Sequence, residues 1–394
     1  MSLEKNIERL QSIDALRGLV IIIMLLDHVR ETFYLHKQVT DPMDVTVTEP
    51  ALFGSRLLAH ICAPVFVLLT GISAFLFQSK KQDLQQTRAF LLKRGLFLIV
   101  LELTLVNFAW TATFPPEVIY LQVIWAIGIS MVVLACCVSL PLPILAGVAL
   151  VIIFGHNLLD SVHFSQGILQ NIWFVLHERG WLEFAGIKLR TSYPVLPWIG
   201  VILLGYVLGQ FFSSKYSAKQ RSRALLSLGL ASIGLFVLLR LINIYGDQPW
   251  QHFESLQLTL MSFFNLTKYP PSLLFILLNV GIGLLVLVAF ERMQQYSFLK
   301  PLVVFGSVPM FFYLLHLYVL KLMYVFALSV WGANYGNYLS VNHVWMLWLI
   351  TIVLSFVLYP AVKWFSKFKH QNLSLIHISE PTRHNIASGM PAWG

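Results

Sequence analysis

The chain has 394 residues, of which 57% are hydrophobic and only 11% are charged, and its net charge at pH 7 is +9. A soluble domain carries about a quarter charged residues, so this composition excludes one and indicates an integral membrane protein. Basic loops beside the membrane explain the positive charge without a nucleic-acid partner. All three cysteines lie in apolar segments, which predicts neither a disulfide framework nor a metal site.

Ten apolar segments are long enough to cross a membrane, because a hydrocarbon core of ~30 Å takes about 20 helical residues. The expected fold is therefore an all-α polytopic bundle in the lipid bilayer. The predicted spans cover residues 13–36, 52–78, 90–112, 118–139, 142–158, 194–212, 224–244, 271–291, 302–328 and 343–366. The connections 79–94 and 213–223 are basic, and the 37–51 loop is acidic. Since basic loops stay in the cytoplasm, both termini are predicted to be cytoplasmic.

Residues 1–370 are predicted to form one transmembrane domain. In its outer loops, the amphipathic segment 168–177 predicts an interfacial helix, either a packing helix over the bundle or a substrate lid. Residues 371–394 are polar and lack periodicity, and their string LSLIHISEPTR resembles a translated sequencing adapter. We therefore expect a disordered or artefactual tail without functional residues.

Three histidines lie inside predicted spans, where ionisable residues are costly and mark functional sites. At a rise of ~1.5 Å per residue, His28 lies roughly 22 Å up the first span, His60 about 12 Å down the second, and His316 roughly 21 Å up the ninth. These depths place three imidazoles at one level in the outer half of the bilayer. One face of the first helix carries Asp14, Arg17, Ile21, Met24, His28 and Glu31. This stripe predicts a cavity between helices, although a histidine there can also serve as an interhelical hydrogen bond.

Other charged residues near the ends of the spans are weaker candidates. Asp27 points about 100° away from His28 and is expected to pair with Arg30, whereas Glu31, one turn on, is better placed to orient the His28 ring. Lys93 and Arg94 are predicted either to snorkel or to hold an anionic phosphate. Lys268 and Tyr269 precede an outer helix and suit either acceptor binding or interfacial anchoring.

Five stretches resemble one family of bacterial membrane proteins, which carries a heparan-alpha-glucosaminide N-acetyltransferase-type catalytic domain. They are SIDALRGLVIIIMLLDHVRETF, AHICAPVFVLLTGISAFL, LPWIGVILLGYVLG, NLTKYPPSLLFILL and FGSVPMFFYLLHLYVL. The resemblance covers the chain up to about residue 368. It implies a transmembrane acyltransferase.

More distantly, the pattern Asp14-x-x-Arg17 followed by His28 is similar to the first span of the broad membrane O-acyltransferase family. That likeness implies a catalytic role for His28 and a place beside the acyl donor for Lys93 and Arg94. The lysosomal heparan enzyme has an asparagine where this chain has His28, so heparan is not implied as the substrate.

The leading prediction is an enzyme that moves an acetyl group from cytoplasmic acetyl-CoA to a hydroxyl or amine acceptor, a sugar or glycan, near the outer face of the bacterial inner membrane. Acetyl-CoA is a co-substrate, and no bound cofactor is expected. A neutral histidine suits the proton abstraction that this transfer needs, and His60, His316 or Lys268 would donate to the oxyanion. The predicted catalytic residues are His28, Asp14, Arg17, Glu31, His60 and His316; Lys93 and Arg94 would bind the donor, and Lys268, Tyr269 and Asp27 the acceptor.

Two alternatives stay open. A proton-coupled secondary transporter or flippase would use the same intramembrane histidines as a proton relay. A structural or sensing membrane protein would use them only to hold helices together. The sequence indicates no particular oligomeric state.

Overall fold

The computed structural model describes residues 2–184 and 186–372, with residues 2–10 described by their backbone alone. Most of these residues are helical. The α-helices are α1 (Ser2–Phe33), α2 (Pro50–Ala59), α3 (Cys62–Lys81), α4 (Leu84–Leu101), α5 (Asn107–Thr111), α6 (Val123–Cys137), α7 (Leu142–Gly155), α8 (Ile168–Leu176), α9 (Leu196–Leu208), α10 (Ala218–Ile242), α11 (Leu256–Phe264), α12 (Leu273–Arg292), α13 (Leu299–Ser307), α14 (Pro309–Trp331) and α15 (Val344–Gln371). A π-helical turn spans Glu102–Val106, and 3₁₀ turns span His156–Leu159 and Gly209–Phe212. The predicted tail lies outside the described residues from residue 373 on.

Six helical stretches in the described chain are long and apolar enough to cross a bilayer. They are Pro50–Lys81, Leu142–Leu159, Ala218–Ile242, Leu273–Arg292, Pro309–Trp331 and Val344–Gln371. Two shorter apolar helices, Val123–Cys137 and Leu196–Phe212, accompany them. The protein is therefore a mostly helical, multi-pass membrane protein, and the prediction of ten spans remains a prediction.

Two predicted spans are interrupted. The span predicted over 302–328 is divided between α13 and α14, because Pro309 has no amide hydrogen to continue the helix and instead opens the second one. The span predicted over 52–78 is divided into α2 and α3 by His60 and Ile61, which keep helical backbone angles, so that Pro50–Lys81 remains one apolar stretch.

A small sheet interrupts the otherwise helical fold. Its strands are β1 (Val118–Leu121), β2 (Trp181–Phe184) and β3 (Ile187–Thr191), in the order β1-β3-β2. β1 pairs in parallel with β3, and β2 pairs antiparallel with β3. The span predicted over 118–139 was therefore wrong at its start, since the helix there begins only at Val123. The expected helix over 168–177 is confirmed as α8.

Helix α1 is held against α13 by two glycines that allow the backbones to touch. A Cβ atom at Gly18 would lie 1.9 Å from the carbonyl oxygen of Leu302, and one at Gly306 would lie 1.7 Å from that of Asp14. Close approach through small residues is a common way for helices to pack in membranes, where apolar burial gives little driving force. This contact sets the position of α1, the helix that carries most of the candidate site residues.

Two buried polar residues near the π-helical turn serve as structural partners. The Glu102 carboxylate accepts a hydrogen bond from the Trp125 amide in the first turn of α6, where the helix leaves backbone donors unpaired. The Asn107 side chain donates to the Val118 carbonyl and accepts from the Tyr120 amide. Together they attach the end of α4 to β1 and to the start of α6.

Candidate functional site

A cavity of about 230 Å³ lies between α1, α3, α4, α6 and the start of α14. From α1 it is lined by Arg17, Ile21, Met24, Asp27, His28 and Glu31. Five of the six residues of the predicted polar stripe therefore face one internal space. Fourteen residues separate Arg17 from Glu31, so the cavity follows α1 for roughly 21 Å.

His28 and His316 form a hydrogen-bonded pair beside this cavity. The Nδ1 atom of His28 lies 2.7 Å from Nε2 of His316, and the ring centroids are 5.0 Å apart. His316 is fully buried and lies behind His28, whereas His28 keeps 7% of its surface exposed and lines the cavity. Trp110 and Tyr313 contact the His28 ring edge-on, with centroids at 5.2 and 5.8 Å, and hold its orientation.

The hydrogen bonds of His316 determine the tautomers of both rings. Nδ1 of His316 lies 2.7 Å from the Phe312 carbonyl oxygen, which can only accept, so this nitrogen carries the proton. In the neutral ring Nε2 is then an acceptor, and Nδ1 of His28 must donate to it. The remaining nitrogen of His28, Nε2, has a lone pair. Among the described residues no group forms a hydrogen bond with this Nε2 atom, and the atom is not fully buried. Its lone pair therefore faces the cavity that His28 lines.

One end of the cavity is held by a chain of charged residues. The Asp27 carboxylate lies 3.0 Å from Arg30 and 3.5 Å from the Lys268 ammonium, and all three side chains are buried. The expected Asp27–Arg30 pair is therefore present. Arg30 also pairs with Glu31 at 2.9 Å. In the described chain, both Asp27 and Glu31 thus pair with Arg30, and neither forms a hydrogen bond with the His28 ring.

Lys268 is fixed in place by acidic residues under its loop. The Asp41 carboxylate accepts hydrogen bonds from the backbone amides of Lys268 and Tyr269, and Asp247 accepts from Thr267 and Ser272. Burial by itself lowers the pKa of Lys268, but the neighbouring Tyr269 and Asp27 outweigh it, so that the pKa lies above that of an ordinary lysine. The ion pair with Asp27 therefore favours the charged form of Lys268 at this end of the cavity.

The other end of the cavity is formed by Arg17 and Arg94. Arg17 pairs with Asp14 at 3.1 Å and also bonds to the Ser73 hydroxyl on α3. Arg94 lines the cavity from α4 and lies over the Phe90 ring at 5.9 Å. Lys93, one residue earlier, is exposed and does not line the cavity, because successive side chains on a helix point about 100° apart.

Several predicted site residues have different surroundings from those expected. His60 is buried beside Phe275 and does not line the cavity, and both its ring nitrogens lack a hydrogen-bond partner among the described residues. His316 cannot donate to an oxyanion, since the Phe312 carbonyl takes its only proton. The hydrogen bond that orients the His28 ring comes from His316, and not from Glu31 as expected.

Sequence reasoning missed two residues at the Lys268 end. Arg179 lines the cavity and lies over the Tyr269 ring at 5.0 Å, and the Tyr193 hydroxyl is 3.1 Å from that of Tyr269. Arg179 belongs to a predicted outer loop, where arginine is uncommon. The presence of an arginine in an outer loop could therefore have identified Arg179 as a candidate site residue.

For the acyl transfer that the sequence resemblance implies, replacing His316 by alanine is expected to lower kcat by about a hundredfold, the lower end of what a positioned base contributes, with little change in KM. The loss follows because Nδ1 of His28 would no longer have the acceptor that holds its tautomer. His316→Gln should recover most of the rate, since its amide can accept from His28 and donate to Phe312. Steady-state kinetics of both variants at equal thermal stability test this role; equal losses in both would contradict it.

A multi-pass helical bundle with an internal cavity, which His28 lines and which has basic residues at both ends, belongs to the class of membrane proteins with a polar site inside the bundle. Residues 9–242, more than half of the chain, match the family model of the heparan-alpha-glucosaminide N-acetyltransferase catalytic domain. The chain belongs to this family, which confirms the resemblance seen in its sequence, and membership indicates a membrane acetyltransferase type of activity. No protein with a curated description shows significant similarity to the chain.

Proposed function

We propose that the protein transfers an acetyl group from cytoplasmic acetyl-CoA to a hydroxyl or amine of a sugar or glycan at the outer face of a bacterial inner membrane. One observation carries this proposal. The Nε2 lone pair of His28 faces a cavity that has Arg17 and Arg94 at one end and Lys268 and Arg179 at the other. A charged donor and a polar acceptor can thus approach the same imidazole from opposite ends.

The reaction follows from the tautomer of His28. Nε2 takes the proton of the acceptor hydroxyl or amine as the acceptor attacks the thioester carbonyl carbon. The carbonyl oxygen becomes an oxyanion, and the Lys268 ammonium is the fixed cation on the acceptor side that would stabilise it. Collapse of the tetrahedral intermediate breaks the carbon–sulfur bond, and Nε2 returns its proton to the departing CoA sulfur. No cofactor enters these steps.

At the donor end, Arg94 and Arg17 are suited to the phosphates of CoA. A guanidinium forms paired, charge-assisted hydrogen bonds with phosphate oxygens. Arg94 takes this role in preference to Lys93, which is exposed away from the cavity. The acceptor end combines Lys268, Tyr269 and Asp27, where paired charges and a phenol provide donors and acceptors for sugar hydroxyls.

Purified protein incubated with acetyl-CoA labelled in the acetyl group, with and without cell-envelope extract, tests the function. We expect label to pass into envelope material only when both protein and extract are present. A transporter or flippase would instead move its substrate without consuming acetyl-CoA. Unchanged acetyl-CoA after incubation with extract would contradict an acetyltransferase.

The proposed direction of transfer requires both termini in the cytoplasm and an even number of spans. In cells whose protein lacks Cys136 and Cys137, a cysteine at the exposed position Ser161 should react with a membrane-impermeant maleimide added outside. A cysteine at the exposed position Ser214, in the basic loop, should react only after the membrane is opened. The reverse pattern would contradict the orientation derived from the positive loops.

A further inference from the structure

A second cavity, of about 360 Å³, adjoins the acceptor end of the main one. Arg179 and Tyr269 line both cavities. At its edge, His156, Asp160 and His177 each place one nitrogen or oxygen atom within 4.8 Å of the others. None of these three residues lines the main cavity or takes part in the proposed acetyl transfer.

His156 is the unusual member of this group. Its side chain is 98% buried, and neither ring nitrogen has a hydrogen-bond partner in the described part of the chain. A buried polar group without a partner costs about 1–3 kcal/mol, so such groups are rare unless they bind something. Only one ring nitrogen can carry the proton in a neutral imidazole, and the other then has a lone pair suited to a metal ion.

The other two residues are placed as ligands of the same ion would be. The His177 Nε2 atom lies 3.6 Å from the Asp160 carboxylate. It donates its proton to the His156 carbonyl oxygen at 2.8 Å, and a metal ion bound at Nε2 would displace this proton, because a ligating imidazole nitrogen must be unprotonated. Two ligand atoms that are each about 2.0–2.2 Å from a tetrahedral zinc ion have a separation similar to that between His177 Nε2 and the Asp160 carboxylate. The second oxygen of Asp160 accepts a hydrogen bond from Asn157 at 2.8 Å, which orients the carboxylate from behind.

We infer that His156, Asp160 and His177 bind a divalent transition-metal ion of the Zn²⁺ type. Two imidazoles and a carboxylate form a ligand set that zinc accepts, and the ion's fourth position would open to the second cavity, which Asp160 and His177 line. The ion would join the end of α7 to the outer segment that carries α8, β2 and β3, beside Arg179. This site goes beyond the proposed function and needs no acetyl transfer to be detected.

Metal binding by the full-length protein in detergent provides the test. After removal of metal with a chelator, the wild-type protein should retain one Zn²⁺ per chain on dialysis and gain the visible absorption of four-coordinate Co²⁺. Asp160→Ala is the key variant, because this side chain is half exposed and its loss leaves the buried fold intact. It should weaken Zn²⁺ binding at least about tenfold, as should His177→Ala.

His163→Ala is the matched control, since this exposed histidine lines the same cavity but is not one of the three ligands. It should bind Zn²⁺ as the wild type does. The inference would be overturned if the wild-type protein retained no Zn²⁺, if Asp160→Ala and His177→Ala both bound it with unchanged affinity, or if His163→Ala lost as much affinity as they did.

Discussion

His28→Ala is expected to lower the rate of acetyl transfer by about a thousandfold, while the amount of folded protein in the membrane stays near normal. Alanine removes the nitrogen that we propose takes the acceptor's proton, and a general base contributes about 10²–10⁴-fold to a rate. The loss should appear in kcat, because His28 acts on the reacting atoms and not on donor binding. Release of free CoA from acetyl-CoA in the presence of envelope extract measures it.

His60→Ala is the matched control for this experiment. Both histidines are buried within the helical bundle, but His60 does not line the cavity. We expect His60→Ala to change the rate by less than about tenfold, since the ring does not face the cavity in which we propose that the reaction takes place. If both variants kept near-normal rates, the histidines would serve only to hold helices together. If His60→Ala alone lost activity, the base would be misassigned.

Gly306→Ala is expected to destabilise the protein by at least about 3 kcal/mol, at the upper end of the range for overpacking. The added methyl group would lie 1.7 Å from the carbonyl oxygen of Asp14, and a backbone atom cannot move aside as a side chain can. Helices α1 and α13 would have to separate along their contact at Gly18 and Leu302. Thermal unfolding in detergent, followed by light scattering, measures the loss.

Gly147→Ala in α7 provides the comparison, because a Cβ atom there meets nothing within 4 Å. Alanine is the better helix former, so this variant should be neutral or slightly more stable. Equal melting temperatures for both glycine variants would show that α1 and α13 are not in backbone contact. A large loss for Gly306→Ala alone would confirm that this contact positions the helix carrying His28.

Hydropathy predicted where the helices lie because an apolar run of about 20 residues has few other structures available in lipid. It did not predict the sheet of β1, β2 and β3, since strands of four or five residues give too weak a pattern. Nor did it predict the division between α13 and α14. Pro309 is typical of a helix start and could have indicated that break, but the apolar residues on both sides of it favoured one continuous span.

Helical phase predicted the cavity face of α1 because that helix is continuous from Asp14 to Glu31. The depth argument brought His28 and His316 to one level, and the two rings do meet. It failed for His60, because depth along a span does not specify the direction of a side chain, and this ring lies beside Phe275 and does not line the cavity. The tautomer of His28 depends on the Phe312 carbonyl, which no sequence pattern reveals.

The most direct test of His28 as the base uses sealed vesicles whose cytoplasmic face is outward and whose lumen contains envelope acceptors. Acetyl-CoA labelled in its acetyl group is added outside, and the label that accumulates on luminal material is measured for the wild type, His28→Gln and His60→Gln. We expect label with the wild type and His60→Gln, and about a hundredth of it or less with His28→Gln. Label at the wild-type level with His28→Gln, at equal amounts of folded protein, would contradict the assignment of His28 as the base.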